Sequence, residues 1–279
     1  MKHVLVLLFA FIALITIAQP VKLPQPSPTQ TIKQNFGLGN VELSYSRPSL
    51  KGRIAFKEKS ELAPQDVVWR TGANAPTTVT FSDAVTINNI AIKPGKYGLL
   101  TIPGKKAFTI IVTKDTTVNQ PTAYNADYDV VRVLAPIEKL SEKVELFTMQ
   151  FANITYETCD LQLQWGGVQV VLPIATNIRD RVKADVEKSE GGDKPSYQSI
   201  ATYYFEIVKD NNEALAYITK AIYQASKPSF SSYLLKAKIE KELGDKAAAK
   251  TDAMKCIELA NTAKNDDYVR AAKELISKL

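Results

Sequence analysis

Histidine is almost missing from this sequence, because the 279 residues contain one, His3. Ser-His-Asp and Cys-His nucleophiles depend on an imidazole with a pKa near neutral. Histidine nitrogens also ligate zinc, copper and non-haem iron in many catalytic centres. His3 lies in a segment that we expect to be removed, so the mature chain should have none. The sequence therefore excludes these enzyme classes and leaves carboxylates, lysine, tyrosine or a serine with a lysine base for catalysis.

Cysteine is scarce, and neither sign of charge dominates. Two cysteines are too few for a disulfide scaffold or a four-thiolate zinc site, and we expect Cys159 and Cys256 to be buried free thiols. The 35 basic and 29 acidic residues give a net charge of +6. The basic residues form no stripe, which argues against a nucleic-acid partner. No glycine-rich phosphate loop or dinucleotide fingerprint occurs, so we expect no cofactor and no metal.

One long apolar run is present, at residues 4–18 directly after Lys2 and His3. A basic start, a short apolar core and small residues at Thr16 and Ala18 are typical of a secretory signal peptide at residues 1–18. An uncleaved anchor is the alternative, but a spanning helix needs about 20 apolar residues. We expect cleavage after Ala18, export to the periplasm or the extracellular space, and no membrane span afterwards. Residues 19–30 contain four prolines and are predicted to form an extended leader.

A period of two dominates residues 31–175. Val41, Leu43 and Tyr45 alternate with polar residues, as in a strand that buries one face. About ten such runs, separated by turn residues every 8–12 positions, predict an antiparallel β-sandwich or open barrel. Gly166-Gly167 is predicted to be a hairpin turn, and Trp69 and Tyr45 are predicted to fill the core.

Residues 176–279 show helical spacing instead, with short links that predict antiparallel helix hairpins. Ala214 and Ala221 correspond to Ala249 and Cys256, each 35 residues further on. This period and these small residues resemble tetratricopeptide repeats, although the usual Trp and Leu-Gly positions are not matched. Two hairpins and a last helix are fewer than about three repeats, the number expected for a free-standing solenoid. We therefore expect the helical domain to dock on the β domain, with residues 178–187 as the bridge.

Four segments of the β part carry a family resemblance: SYSRPSLKGR at 44–53, VWRTGANAPTT at 68–78, PGKYGLLTIPG at 94–104 and DVVRV at 129–133. Together they resemble a secreted family known as domain of unknown function 2911, found mainly in Bacteroidota. The resemblance covers almost the whole mature chain and implies an exported protein of this architecture. The family usually has a tryptophan where Phe108 stands and an asparagine where Thr113 stands. It has no established activity, so the resemblance implies no catalytic residues.

Several polar residues lie on turns at the ends of predicted strands and could together form a fork for carboxylate, phosphate or sugar hydroxyl groups. The candidate ligand-binding residues are Arg47, Arg53, Arg70, Asn74, Asp129 and Arg132. The alternative is that these residues fasten long loops by bonding to main-chain carbonyls. Tyr124 and Tyr128, in a polar loop, are candidates for exposed stacking.

The sequence predicts an exported cell-envelope binding or interaction module, with an envelope protein or an anionic or sugar ligand as its partner. One alternative is a carboxylate- or lysine-dependent hydrolase acting on carbohydrate, since Asp127 with Asp129, or Glu138 with Glu142, could serve as an acid pair. A second alternative is a purely structural envelope protein. No residue is assigned a catalytic role.

Overall fold

The computed structural model describes residues 23–192 and 195–279. The predicted signal peptide and its cleavage site lie outside these residues. Within them, β-strands occupy the first part of the chain and α-helices the last, which confirms the predicted all-β and all-α order. None of the helices described is long and apolar enough to cross a membrane.

The strands form two antiparallel sheets that do not close into a barrel. The larger sheet has the order β1 (Thr29–Phe36), β2 (Gly39–Ser46), β3 (Thr78–Phe81), β6 (Gly95–Pro103), β7 (Ala107–Thr113) and β8 (Asp129–Pro136). The smaller sheet has the order β5 (Ile90–Ile92), β4 (Val85–Ile87), β10 (Thr158–Ala175) and β9 (Glu138–Ala152). Of the two predicted architectures, the open sandwich is the one observed. The first strand begins at Thr29, inside the predicted leader.

Aromatic side chains fill the space between the two sheets. The rings of Trp69 and Trp165 stack with their centroids 5.7 Å apart and their planes 12° apart. Phe147 packs edge-on against Tyr45 at 5.8 Å. The Tyr45 hydroxyl accepts a bond from the Met149 N–H at 2.8 Å, so its polar end is satisfied inside the core. The predicted core positions of Tyr45 and Trp69 are thus confirmed.

The predicted hairpin at Gly166-Gly167 is wrong, because β10 runs through both glycines as one strand. The pairing of β10 with β9 shifts register on either side of Gly166. Gly166 has φ of +59°, a left-handed conformation that suits glycine and is typical of a β-bulge. The two glycines therefore bend a long strand instead of ending it.

A loop from residue 114 to residue 128 covers part of the outer face of the larger sheet. Val118 packs there against Leu100 and Ile111, with Tyr124 at the edge of this small cluster. Two 3₁₀ turns, Pro121–Ala123 and Ala126–Tyr128, shape the loop.

The helices are α1 (Arg179–Glu190), α2 (Tyr197–Tyr203), α3 (Asn211–Gln224), α4 (Phe230–Glu242), α5 (Lys246–Thr262) and α6 (Asp266–Ser277). A π-helical turn, Tyr204–Val208, continues α2. Side chains of Asp210, Ser229, Asp245 and Asn265 accept bonds from first-turn amides of α3, α4, α5 and α6, which fixes where each helix begins. Ala214 and Ala249, equivalent in the predicted repeat, are both fully buried.

Contact between the two parts runs through the start of α1. Ile178 is buried beside the β1–β2 turn, and Arg181 forms a 3.0 Å ion pair with Asp83. The later helices bury their apolar side chains in two clusters that contain no strand residue in the part of the chain described. The expected docking of the helical hairpins on the sheets is therefore wrong, because these helices close their own cores.

Candidate functional site

Arg47 joins the two sheets. Its Nε donates to the Phe147 carbonyl at 3.0 Å, and its Nη2 donates to the Thr148 hydroxyl at 2.6 Å. Its own amide donates to the Pro28 carbonyl at 2.9 Å. The two side-chain bonds hold the end of β2 against β9, which is the fastening role considered from the sequence.

Arg53 folds back on its own turn. Its Nε and Nη2 donate to the carbonyls of Leu50 and Ser49, both at 3.0 Å. Glu145 holds the same turn, accepting from the Ser49 hydroxyl at 2.5 Å and from the Lys51 amide at 2.7 Å. These hydrogen bonds lower the pKa of the Glu145 carboxyl. The Arg53 side chain remains exposed above this tied loop.

Arg70 and Asn74 fasten two other segments. Arg70 Nη1 donates to the Asn119 carbonyl, which ties the covering loop to the strand end. Arg70 Nε is buried and has no partner within the described residues. Asn74, at φ of +57°, donates from Nδ2 to the Ser27 carbonyl at 3.0 Å.

Asp129 and Arg132 do meet, together with Tyr124. Asp129 Oδ2 accepts from Arg132 Nε at 2.7 Å and from the Tyr124 hydroxyl at 2.6 Å. Burial and the bond to Asp129 raise the pKa of the Tyr124 hydroxyl. The second carboxylate oxygen of Asp129 is buried without a partner in the described part of the chain. Asp129 is thus held by these two side chains, whereas Asp127, its candidate acid partner, is exposed.

Of the six candidate residues, the structure brings together Asp129 and Arg132 alone. Arg47, Arg53, Arg70 and Asn74 each bond to main-chain carbonyls of different segments. These bonds give each side chain a role in holding the fold together, and ligand binding by these residues stays a prediction. Tyr128, the other candidate for stacking, is 50% exposed and lies outside the Tyr124 contacts.

A concave site lies on the helices, between α2, the end of α3 and the start of α4. This polar groove has a volume of about 710 Å³. In the part of the chain that the structure describes, its lining consists mainly of hydroxyl and amide side chains with one cation: Ser196, Gln198, Ser199, Thr202, Gln224, Lys227, Ser229 and Ser232. Such side chains both donate and accept hydrogen bonds, so they match the main chain of a peptide.

Local hydrogen bonds position the groove side chains. Ser229 caps α4 by accepting from the Ser232 amide at 3.2 Å. The buried Ser232 hydroxyl donates to Gln198 Oε1 at 2.6 Å, which links α4 to α2. Ser199 and Gln224 are exposed and free to meet a ligand. This groove was not predicted, because its two serine- and glutamine-rich stretches are separate in the sequence. Ser196 and Ser199 lie 33 positions before Ser229 and Ser232, a separation close to the repeat period, and this was the available signal.

A buried ionic cluster holds α4 against α5. Lys236 Nζ lies 2.9 Å from Glu240 Oε1 and also bonds to Asp252. Burial raises the pKa of the Glu240 carboxyl, and its Oε2 has no partner among the residues described. Burial alone would lower the pKa of Lys236, but the bonds to Asp252 and Glu240 outweigh it and raise this pKa.

Both cysteines are buried free thiols, as predicted. Burial raises the pKa of the Cys159 thiol to about 11, and burial also raises the pKa of Cys256. Thiols of this kind carry little thiolate near neutral pH, so they are poor nucleophiles.

These features define a class: an open antiparallel β-sandwich followed by tetratricopeptide-like helix hairpins. Comparison with family patterns agrees with both halves. Residues 230–262, which span α4 and α5, match the tetratricopeptide repeat. Residues 27–174 match the family described as protein of unknown function (DUF2911), and the chain belongs to that family. Among proteins of curated function and among solved structures, none matches.

Proposed function

We propose that the chain is an exported interaction module of the cell envelope, and that its polar groove binds an extended segment of a partner protein. The β-sandwich is the rigid part of this module, and the helix hairpins carry the recognition surface. A tetratricopeptide match at α4 and α5 is consistent with protein interaction.

The observation that carries this proposal is the composition of the groove. Hydroxyl and amide groups line a cleft of about 710 Å³, within the size range of about 300–1,000 Å³ typical of ligand sites. Among the lining residues that the structure describes, Lys227 is the charged one, so we expect the bound segment to carry an acidic side chain or a free carboxylate there.

Site-specific photocrosslinking in the native host tests the binding surface. A photoreactive residue replaces Ser199 or Gln224 inside the groove, and Lys250 or Glu258, both exposed on α5, in matched controls. We expect one protein to be captured at both groove positions and not at the controls. Equal capture at all four positions would contradict the proposal.

A charge reversal tests the role of Lys227. Lys227→Glu should strongly reduce crosslinking at Ser199, because it repels an acidic segment. Lys250→Glu makes the same change in net charge away from the groove and should leave crosslinking unchanged. If both variants behave alike, the effect is one of overall charge and the groove is not the site.

Export is tested separately. We expect protein purified from the host envelope to begin at Gln19, because residues 16–18 end the apolar run with the small residues of a signal-peptidase site. N-terminal sequencing tests this, and an envelope-purified protein that still begins at Met1 would refute cleavage.

A further inference from the structure

Strand β8 is the last strand of the larger sheet, so one of its edges is unpaired in the described structure. The Ile137 amide donates to the Lys106 carbonyl at 2.9 Å, just beyond the paired strands β7 and β8. In an antiparallel ladder, every second residue makes such bonds to the same neighbour. Val133 therefore bonds toward β7, while the N–H and C=O groups of Leu134 point away from it.

A second groove runs along this free edge, with a volume of about 670 Å³. Residues 133–136 of β8 form one wall, and their first and last Cα atoms are about 10 Å apart at the usual rise of a strand. Outward-facing residues of β10, including Gln162 and Gln169, form the opposite wall. The lining therefore combines residues of the strand edge with amide-bearing residues of β10.

The amides of the opposite wall are held in place by neighbours. Gln164 donates to Gln169 at 2.5 Å, and Gln169 donates to Glu138 Oε2 at 2.7 Å. Gln150 donates to the Gln162 oxygen at 2.9 Å, and within the described residues the Gln162 nitrogen has no partner. A fixed amide with a free donor can bond a peptide carbonyl, as another strand would.

The charge and exposure of the groove define its occupant further. Glu138 and Asp160 are its charged residues, and no lysine or arginine is among the lining residues in the described ranges. Leu134 is 73% exposed at the middle of the free edge. A basic segment with an aliphatic residue beside Leu134 would complement both features.

We propose that this groove binds an extended, basic peptide segment of a partner protein as an added strand on β8. The main chain of the peptide bonds to Leu134 on one side and to the Gln162 amide on the other. A lysine or arginine of the peptide faces Glu138 and Asp160. Strand addition of this kind uses main-chain bonds for affinity and side-chain positions for specificity. The proposal concerns a different surface from the helical groove and does not depend on it.

A neutral glycan fits the same groove less well. The lining contains amides and carboxylates, but none of its residues in the described ranges is aromatic and able to stack on a sugar ring. The outward N–H and C=O groups of β8 are spaced for another strand.

The experiment uses the full mature chain and a fluorescent octapeptide in which valine alternates with lysine and threonine. Leu134→Pro removes the outward N–H without removing a bond to β7, and proline is tolerated on edge strands. We expect this variant to bind the peptide about ten-fold more weakly, the loss expected for main-chain hydrogen bonds. Leu134→Ala keeps the N–H and should lose less. The wild-type chain should bind a peptide with glutamate in place of lysine more weakly than the lysine peptide, because Glu138 and Asp160 repel the glutamates.

Circular dichroism melting first shows whether Leu134→Pro is folded. If it is not, Glu138→Gln combined with Asp160→Asn tests the same groove, because that pair should remove the preference for the lysine peptide. The proposal is overturned if the wild-type chain binds neither peptide or both equally, or if folded Leu134→Pro binds as tightly as wild type. It is also overturned if an N-acetylglucosamine oligomer displaces the peptide and a substitution of Gln162 abolishes that displacement. Self-association of the chain that Leu134→Pro abolishes would identify a second copy as the occupant instead.

Discussion

Replacing Lys236 with methionine removes the ammonium that neutralises Glu240 and Asp252 between α4 and α5. Methionine keeps an unbranched apolar stem of similar length, so packing changes little. The Glu240 side chain is 6% exposed, which gives its carboxylate little water to replace the lost partner. Removing one partner of a buried ion pair usually costs about 3–5 kcal/mol, because the other charge is left unpaired.

Protonation of Glu240 sets an upper limit on this loss for that group. A glutamate has a usual pKa of about 4.3, so taking up a proton costs about 3.7 kcal/mol at pH 7 and about 1 kcal/mol at pH 5. Lys236 is about one-fifth exposed, so we expect a loss below that limit, about 2–3 kcal/mol at pH 7. The loss should shrink toward pH 5, where the orphaned carboxyl becomes neutral at small cost.

The direction in which pH changes the stability of the wild-type chain follows from the same carboxyl group. Burial raises the pKa of Glu240 above that of an unfolded glutamate. The folded state therefore binds the proton more readily than the unfolded state does. The contribution of this carboxyl to stability falls as the pH rises from the pKa of the unfolded glutamate through the higher pKa of the folded one. Glu240→Gln removes the charge, keeps an oxygen for Lys236 and should leave stability at pH 7 unchanged or slightly higher.

Urea denaturation of the full mature chain, followed by circular dichroism at 222 nm, reports mainly on the helices and measures these differences at pH 7 and pH 5. Lys238→Met, on the exposed side of the same helix, is the matched control and should change stability by less than about 0.5 kcal/mol. Equal losses for Lys236→Met and Lys238→Met, or a Lys236→Met loss that is the same at both pH values, would refute the reasoning.

Three further outcomes are expected. Neither Cys159 nor Cys256 should react with a disulfide reagent at pH 8 in the folded protein, and both should react in denaturant; rapid labelling of the native chain would contradict their burial. Arg70→Ala should lower the free energy of unfolding by about 1–3 kcal/mol, because it releases the covering loop. Arg53 is exposed on its own turn, so Arg53→Ala should cost less than about 0.5 kcal/mol. Equal melting temperatures of the two variants would contradict this assignment. A fragment of residues 195–279 should melt cooperatively by circular dichroism, since α2–α6 close their own clusters; a gradual loss of signal would show that they need the sandwich.

The sequence alone determined the order of the architecture. Alternation such as that of Val41, Leu43 and Tyr45 is a local property, because a strand exposes every second side chain whatever it pairs with. Helical spacing, cap residues and small residues at a repeat period are local for the same reason. The burial of both cysteines was likewise predictable, since Cys159 shares the parity of Leu161 and Cys256 occupies a close-contact position.

Tertiary structure alone decided what the polar residues do. Arg47, Arg53, Arg70 and Asn74 look alike in the sequence, and their carbonyl partners lie up to about a hundred residues away or in their own turn. Two consecutive glycines occur both in hairpin turns and in β-bulges. The role of Gly166-Gly167 was therefore decided by the pairing of β10 with β9, which continues on both sides of Gly166.

The two grooves were invisible in the sequence for a related reason. Each is formed by segments that are distant along the chain: Gln198 bonds to Ser232 of another helix, and Leu134 and Gln162 line one groove from strands of different sheets. Periodicity predicts which side of an element is buried, but it does not tell which elements become neighbours. The free edge of β8 exists because strand order, a property of the whole sandwich, places that strand last.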